Sequence, residues 1–131
     1  MTRSTFLTVA AFVACTIGSI ALFAPTVLLV DMKHATPSDE GIVMARTAGA
    51  FLLSFGVLNF LVRQDAPSPT LMHILMANAA LQVLILPVDP LAYFSGVYGS
   101  VMSFLPNTVL HIALLIGFIS YWLQCKRILH E

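Results

Sequence analysis

Four apolar stretches, each long enough to cross a lipid bilayer, constrain this chain more than any other feature of its sequence. They cover about residues 6–30, 37–63, 69–88 and 105–124. A helix needs about 20 apolar residues to span the hydrocarbon core. The sequence therefore predicts an all-α fold, an integral membrane four-helix bundle with antiparallel neighbours, as a single transmembrane domain over residues 1–131.

The composition favours the same class. Of the 131 residues, 59% are hydrophobic and only 9% are charged, and the mean hydropathy is +0.94. Soluble domains carry roughly a quarter charged residues, so this chain has too few polar groups to cover a water-exposed surface. The formal net charge is zero, which excludes the basic surface that nucleic-acid binding requires.

Turn residues mark the ends of the four segments. The Thr-Pro pair at 36–37 and the Ser-Pro pair at 68–69 predict helix starts, because a hydroxyl caps the first turn and proline fits the first helical position. Pro25 is expected to kink or end the first helix. Residues 91–104 are rich in aromatics and glycine, which predicts a short interfacial segment between the third and fourth helices.

The basic residues predict the orientation. With four spans, one side of the membrane receives Arg3, Arg63, Lys126 and Arg127, and the other receives Lys33 and Arg46. Short loops on the cytoplasmic side carry the excess of Lys and Arg. Both termini are therefore predicted in the cytoplasm, of a bacterial inner membrane if the source is bacterial.

Small residues gather on one face of the second segment, opposite a bulky face. In a bilayer, helices associate where small residues let their backbones approach and where polar groups pair. The residues predicted to pack helix against helix are Gly18, Ala45, Gly49, Gly56, Ala113 and Gly117.

Three side chains within the spans are candidate ligand contacts. Arg46 lies only about five residues inside the second segment, where a long side chain can reach the interface. It is expected to do so, or to pair with Asp31, Asp39 or Asp89; the alternative is a site on the outer side for an anionic headgroup or a quinone carbonyl.

The other two candidates are His73 and His111, predicted near opposite membrane surfaces. That separation excludes a shared bis-histidine haem site, although each could serve as a single axial ligand to a pigment or pair between helices. No set of side chains has the spacing of a metal centre, so neither a metal nor a cofactor is expected. The antiparallel order also predicts three pairs at equal depth: Asn59 with His73, Ser54 with Asn78, and Gln82 with His111.

The sequence is compatible with three classes of function. The first is a non-catalytic protein that acts through helix contacts, as an accessory or assembly subunit of a membrane complex or as a homo-oligomer, with lipids and membrane subunits as its partners. The second is a small transporter or channel, which the lack of a carboxylate inside the spans disfavours. The third is an enzyme, whose residues could come only from an outer group: Asp31, His34, Arg46, Asp89 and His111. Because no catalytic motif supports this group, the sequence favours a protein that is not an enzyme.

Two stretches together resemble small bacterial four-helix membrane proteins of the DoxX-like group. They are Leu22-Phe23-Ala24-Pro25 and the run Met44-Ala45-Arg46-Thr47-Ala48-Gly49, which continues through Leu53, Gly56 and Asn59 to Arg63. This resemblance covers about 40 residues and rests on arginine and glycine positions. It implies a four-helix bundle without an established activity.

Overall fold

The computed structural model describes residues 1–131 and contains no strand. Its helices are α1 (Arg3–Phe23), α2 (Asp39–Leu61), α3 (Pro69–Ile85), α4 (Val88–Phe94) and α5 (Leu105–His130). The stretches long and apolar enough to cross a membrane are Arg3–Phe23, Asp39–Gln64, Pro69–Phe94 and Leu105–His130. The prediction of an all-α chain with four membrane-length helical stretches is therefore confirmed.

Hydroxyl caps explain where three of the helices begin. Thr2, Ser38 and Ser68 each accept a hydrogen bond from the backbone N–H three residues further on, which satisfies a donor that has no partner inside the helix. Pro69 follows Ser68 at the start of α3, as predicted. Helix α2 begins at Asp39 rather than at residue 37, because Ser38 and not Thr36 is the cap.

The chain leaves the helical path before the first predicted span is complete. Helix α1 ends at Phe23, shortly before Pro25, whose ring and missing N–H disfavour continuation. A π-helical turn follows at Val27–Met32, and His34 has a φ of 52° that redirects the chain. The first straight helix is thus shorter than the predicted 6–30, and the wide π turn leads directly to Lys33.

The later helices depart from prediction at their C-terminal ends. Helix α3 ends at Ile85, before Pro87, instead of reaching residue 88. The short helix α4 follows it and covers the beginning of the region predicted as an interfacial segment. Helix α5 continues to His130, past the predicted end at residue 124, because the polar residues after the apolar run are good helix formers.

Helices α1 and α2 pack backbone against backbone. A Cβ atom added at Gly49 would lie 2.6 Å from the backbone N of Leu22 and 2.8 Å from the carbonyl O of Gly18. One added at Gly56 would lie 2.6 Å from Cys15 Sγ. Residue numbers fall along α1 as they rise along α2, so these two helices run in opposite directions.

The second helix pair is α3 with α5, and Phe6 joins it to α1. The Phe6 ring packs edge-on against Phe118, with 4.9 Å between centroids, and lies 5.2 Å from the Tyr121 ring. Gly117 makes room for it, since a Cβ there would collide with the Phe6 ring. The buried core around this contact consists of Phe6, Leu7, Ala10, Leu71, Leu75, Ala79, Phe118 and Cys125.

Among the small residues predicted to pack between helices, the glycines and the alanines differ in their surroundings. The four glycines, at positions 18, 49, 56 and 117, all lie at contacts where a Cβ would collide with a neighbour. Ala45 is half-buried and Ala113 is exposed. Ala113 therefore does not serve as a packing position within the chain, because the face of α5 that meets α1 is the one carrying Gly117 and Phe118.

Candidate functional site

Asp89 accepts hydrogen bonds from three side chains at one end of the helices. Lys33 Nζ donates to its Oδ2 at 2.5 Å, Asn107 Nδ2 donates to the same oxygen at 2.7 Å, and Tyr98 Oη donates to Oδ1 at 3.1 Å. Asp89 is only 8% exposed. Because a buried charge is costly unless it is paired and hydrogen-bonded, Lys33 and these donors make its burial possible.

Local structure brings the members of this Asp89 cluster together. Asp89 lies in the first turn of α4, where negative charge is favourable beside the free N–H groups. Asn107 lies in the first turn of α5, and Lys33 directly follows the π-helical turn. The cluster therefore fastens the loop after α1 to the starts of α4 and α5.

Tyr98 lies in the loop between α4 and α5, and its phenol has an altered acidity. Burial, and then the negative charge of Asp89, raise the pKa of Tyr98 to about 12. The phenol is consequently a neutral donor to Asp89 at any physiological pH.

A second polar contact joins α3 to α5. Gln82 Oε1 and His111 Nδ1 are 2.6 Å apart, and Gln82 is 6% exposed while His111 is half-buried. The predicted depth match between these two residues is therefore confirmed. His111 Nδ1 is the donor when Gln82 presents its oxygen.

A third polar contact joins α2 to α3. Asn59 Nδ2 donates to Asn78 Oδ1 at 3.0 Å, and both side chains are 2% exposed. The predicted depth matches of Asn59 with His73 and of Ser54 with Asn78 are therefore wrong. They assumed that α2 and α3 pack side by side as a hairpin, whereas α2 packs on α1 and α3 packs on α5.

The polar contacts between helices lie beside a cavity of about 70 Å³ between the two helix pairs. Its five polar lining residues are Asn59, Asn78, Gln82, Asn107 and His111. Its apolar lining residues are Ala10, Val13, Ala14, Ile17, Leu52, Phe55, Leu81, Ile85, Leu110, Leu114 and Phe118. A space of this size holds a few water molecules or a polar group of similar volume. The amide and imidazole groups in its wall include both donors and acceptors.

An apolar groove of about 350 Å³ adjoins this inner cavity. It is lined by Ala48, Phe51, Leu52, Phe55, Leu81 and Ile85. Four of these residues, Leu52, Phe55, Leu81 and Ile85, also line the inner cavity. Phe51 is 65% exposed, so the groove opens at the protein surface between α2 and α3. The two spaces together form a largely apolar site whose five polar residues all lie in the inner cavity.

The sequence-predicted ligand contacts are distributed unevenly with respect to this site. Only His111 lines the inner cavity; Arg46 and His73 are exposed on α2 and α3. The expected pairing of Arg46 with a carboxylate is not formed, because Asp89 pairs with Lys33 and no other salt bridge exists. Of the outer group considered for catalysis, Asp89 and His111 are withdrawn from the surface, while Asp31, His34 and Arg46 are exposed.

Sequence reasoning missed Lys33, Tyr98 and Asn107 as members of a buried polar cluster. One signal was available for Asn107, because it lies four residues before His111. That spacing places two polar side chains on one helix face, as Asn78 and Gln82 are placed on α3. Nothing in the sequence pointed to Lys33, because its position depends on the π-helical turn.

No group of three or more His, Cys, Asp or Glu side chains is close enough together to hold a metal ion. The two cysteines are free: Cys125 is buried and donates to the carbonyl of Ser68 at 3.8 Å, and Cys15 packs against α2. No protein-family model, curated protein or solved structure matches the chain.

Proposed function

We propose that this chain is an integral membrane protein that binds a neutral amphipathic molecule between its two helix pairs. Its four membrane-length stretches cross the bilayer as an antiparallel bundle, with both termini on the cytoplasmic side. The ligand's polar head lies in the inner cavity and its apolar body lies in the groove between α2 and α3. The chain holds this molecule without converting it, since no nucleophile or acid–base pair faces the cavity.

The observation that carries the proposal is the adjacency of the two spaces. Four apolar residues line both the inner cavity, which also carries five polar residues, and the groove, and the groove opens on a face that would meet lipid. Small-molecule sites are typically apolar clefts with a few polar groups that fix orientation. A lipid-like molecule could move sideways from the bilayer into such a site without passing through water.

The charges around the cavity favour a neutral head. Asp89, which is bonded to the lining residue Asn107, neutralises Lys33 at 2.5 Å, and neither Lys33 nor Arg46 lines the cavity. The groups that do line the cavity are amides and an imidazole, which bind neutral heads by hydrogen bonds. An anionic headgroup would need a free cation there. Isoprenoid quinones, long-chain alcohols and neutral glycerolipids fit this description.

A function through contacts with other membrane proteins, or with a second copy of the chain, stays a prediction. That prediction is based on helix faces of small residues, and four of those residues, Gly18, Gly49, Gly56 and Gly117, already pack within the chain. The predictions of an inner-membrane location and of an accessory role likewise await experiment.

The test is to identify what the protein carries when it is purified gently from membranes. We expect lipid mass spectrometry to find one neutral amphipathic compound enriched at close to one molecule per chain. Ala48→Trp places a large ring in the groove and is expected to lower the bound amount at least tenfold. Ala50→Trp is the matched control, because Ala50 is also exposed on α2 but lines neither space.

Two results would contradict the proposal. One is the absence of any enriched compound in the wild-type protein, with only bulk membrane lipids present. The other is an equal loss of the compound in Ala48→Trp and Ala50→Trp, which would show that the ligand lies elsewhere.

A further inference from the structure

Asn59 has a buried oxygen atom without a partner at the wall of the inner cavity. Its side chain is 2% exposed and lines the cavity, and its Oδ1 receives no hydrogen bond. Buried polar groups in proteins nearly always have partners. An exception inside a cavity requires an explanation.

The orientation of this amide follows from a chain of contacts. Asn78 lies 2.9 Å from the carbonyl O of Ile74, which can only accept, so the atom facing it must be Asn78 Nδ2. Asn78 therefore presents its oxygen to Asn59, at 3.0 Å. Asn59 must therefore donate from its Nδ2, because two oxygens 3.0 Å apart would repel each other.

The free atom of Asn59 is therefore an acceptor and cannot be turned into a donor. Rotating the Asn59 amide would break its bond to Asn78, and rotating Asn78 would break its bond to Ile74. The carbonyl of Ile74 in α3 thus orients the amides of Asn78 and Asn59. This orientation determines which hydrogen-bonding group is needed to pair with Asn59 Oδ1. The missing group is a donor.

We infer that the ligand of this site is an apolar alcohol whose hydroxyl donates a hydrogen bond to Asn59 Oδ1. This inference rests on the proposed function and narrows its ligand class. A hydroxyl fits a cavity of about 70 Å³ and provides an O–H donor. Carbonyl heads such as quinones, aldehydes and esters offer only acceptors, so they would leave Asn59 Oδ1 unpaired.

The test compares two ligands that differ only in this group. Farnesol and farnesal share one isoprenoid chain, and the first ends in a hydroxyl while the second ends in an aldehyde. Both are offered to the purified full chain in detergent, and their dissociation constants are measured by titration calorimetry. We expect farnesol to bind about tenfold more tightly, equivalent to about 1.4 kcal/mol.

Variants of Asn59 then test the assigned acceptor. The double variant Asn59→Leu/Asn78→Leu removes this oxygen at similar volume without leaving Asn78 Oδ1 as a new free acceptor in the cavity wall, and it is expected to bind farnesol and farnesal with equal affinity. Ser54→Ala is the control on the same helix; Ser54 is exposed, lies outside the cavity and donates only to the Ala50 carbonyl. It should keep the tenfold preference. Heat unfolding of each variant shows whether it still folds. The ratio of the farnesol and farnesal dissociation constants in the wild-type protein tests the inference without any variant.

Equal binding of farnesol and farnesal by the wild-type protein would overturn the inference while leaving the proposed function intact. A preference that persists in a folded Asn59→Leu/Asn78→Leu variant would also overturn it, because another group would then be the acceptor. If neither compound binds and no neutral amphipathic compound co-purifies, the proposed function fails with it.

Discussion

The contact between α1 and α2 and the contact between the two helix pairs use opposite means of association. Along α1 and α2, glycines bring the backbones so close that a Cβ at Gly49 would lie 2.6 Å from a backbone nitrogen. Between the pairs, Asn59 meets Asn78 through their amide side chains, and a cavity of about 70 Å³ remains. The α1–α2 interface is packed backbone against backbone, whereas the interface between the two helix pairs encloses a cavity.

This difference teaches how a small helical protein can be tightly packed in one part and still enclose space in another. Tight glycine packing gains dispersion contacts over a continuous surface, which fixes the α1–α2 pair. Polar side chains need partners at defined distances, and they hold the second interface at separate points. The space between those points is where a molecule can fit. Four substitutions or titrations test this contrast, in order of decreasing effect.

The largest effect is expected for Gly49→Ala. The added methyl would meet the backbone of Leu22 and Gly18, which cannot move aside as a side chain would, so we expect a loss of about 3 kcal/mol. The measurement is heat unfolding in detergent, followed by circular dichroism.

Gly41→Ala in the same helix is its control. A Cβ there has no neighbour closer than 3.7 Å, so the better helix propensity of alanine should stabilise by about 0.5–1 kcal/mol. If both variants shift the Tm equally, the α1–α2 backbone contact is not the rigid interface described above.

The next effect is expected at the Asp89 cluster. Asp89→Asn leaves Lys33 without its countercharge in a site where that side chain is 13% exposed. We expect a loss of about 2 kcal/mol, typical of a hydrogen-bonded charge that loses its partner. Asp39→Asn is the matched control, because Asp39 is an exposed carboxylate near the start of α2. A Tm for Asp89→Asn within error of this control would show that the cluster does not fasten the loop after α1.

A smaller effect is expected at the amide pair. Asn78→Leu leaves Asn59 Nδ2 without its acceptor and should cost about 1 kcal/mol, near the upper range for interhelical hydrogen bonds in membranes. The double variant Asn59→Leu/Asn78→Leu removes both partners and should recover most of that loss. A double-mutant cycle on Tm measures the coupling. Strict additivity of the two single losses would mean that the pair contributes nothing.

The smallest effect concerns alkaline pH. The pKa of Tyr98 is raised to about 12 in the folded protein, above its ordinary value near 10. Folding therefore favours the neutral phenol, and the stability that this provides is complete below pH 10 and is lost as the pH rises through 12. Ultraviolet titration should detect a late-titrating tyrosine that disappears in Tyr98→Phe. Tyr93→Phe should leave it in place.

Much of the architecture was predictable because it depends on local physical chemistry. The Ser68 cap and Pro69 fixed the start of α3, and Pro25 marked the end of α1, because capping and proline geometry act within a few residues. The predicted boundaries failed where two adjacent signals competed, as Thr36 and Ser38 did, or where the chain formed an unusual π-helical turn.

The candidate site was less predictable because it depends on which helices become neighbours. Gln82 and His111 were matched correctly since α3 and α5 are a packed pair. Asn59 was assigned to His73 because consecutive helices were assumed to pack side by side. The polar character of these residues was visible in the sequence, but their partners were not.

The sequence by itself determined the helical class, the four membrane-length stretches and the glycines that permit close approach, because hydropathy, length and side-chain size are properties of each segment alone. Only the tertiary structure decided that Lys33 pairs with Asp89, that Arg46 is excluded from the site, and that Asn59, whose side chain lines a cavity, has a buried oxygen without a partner. The reason is geometric: a shift of a few ångströms or a small rotation of one helix changes which polar atoms meet, and the pattern of residues along a single helix does not contain that information.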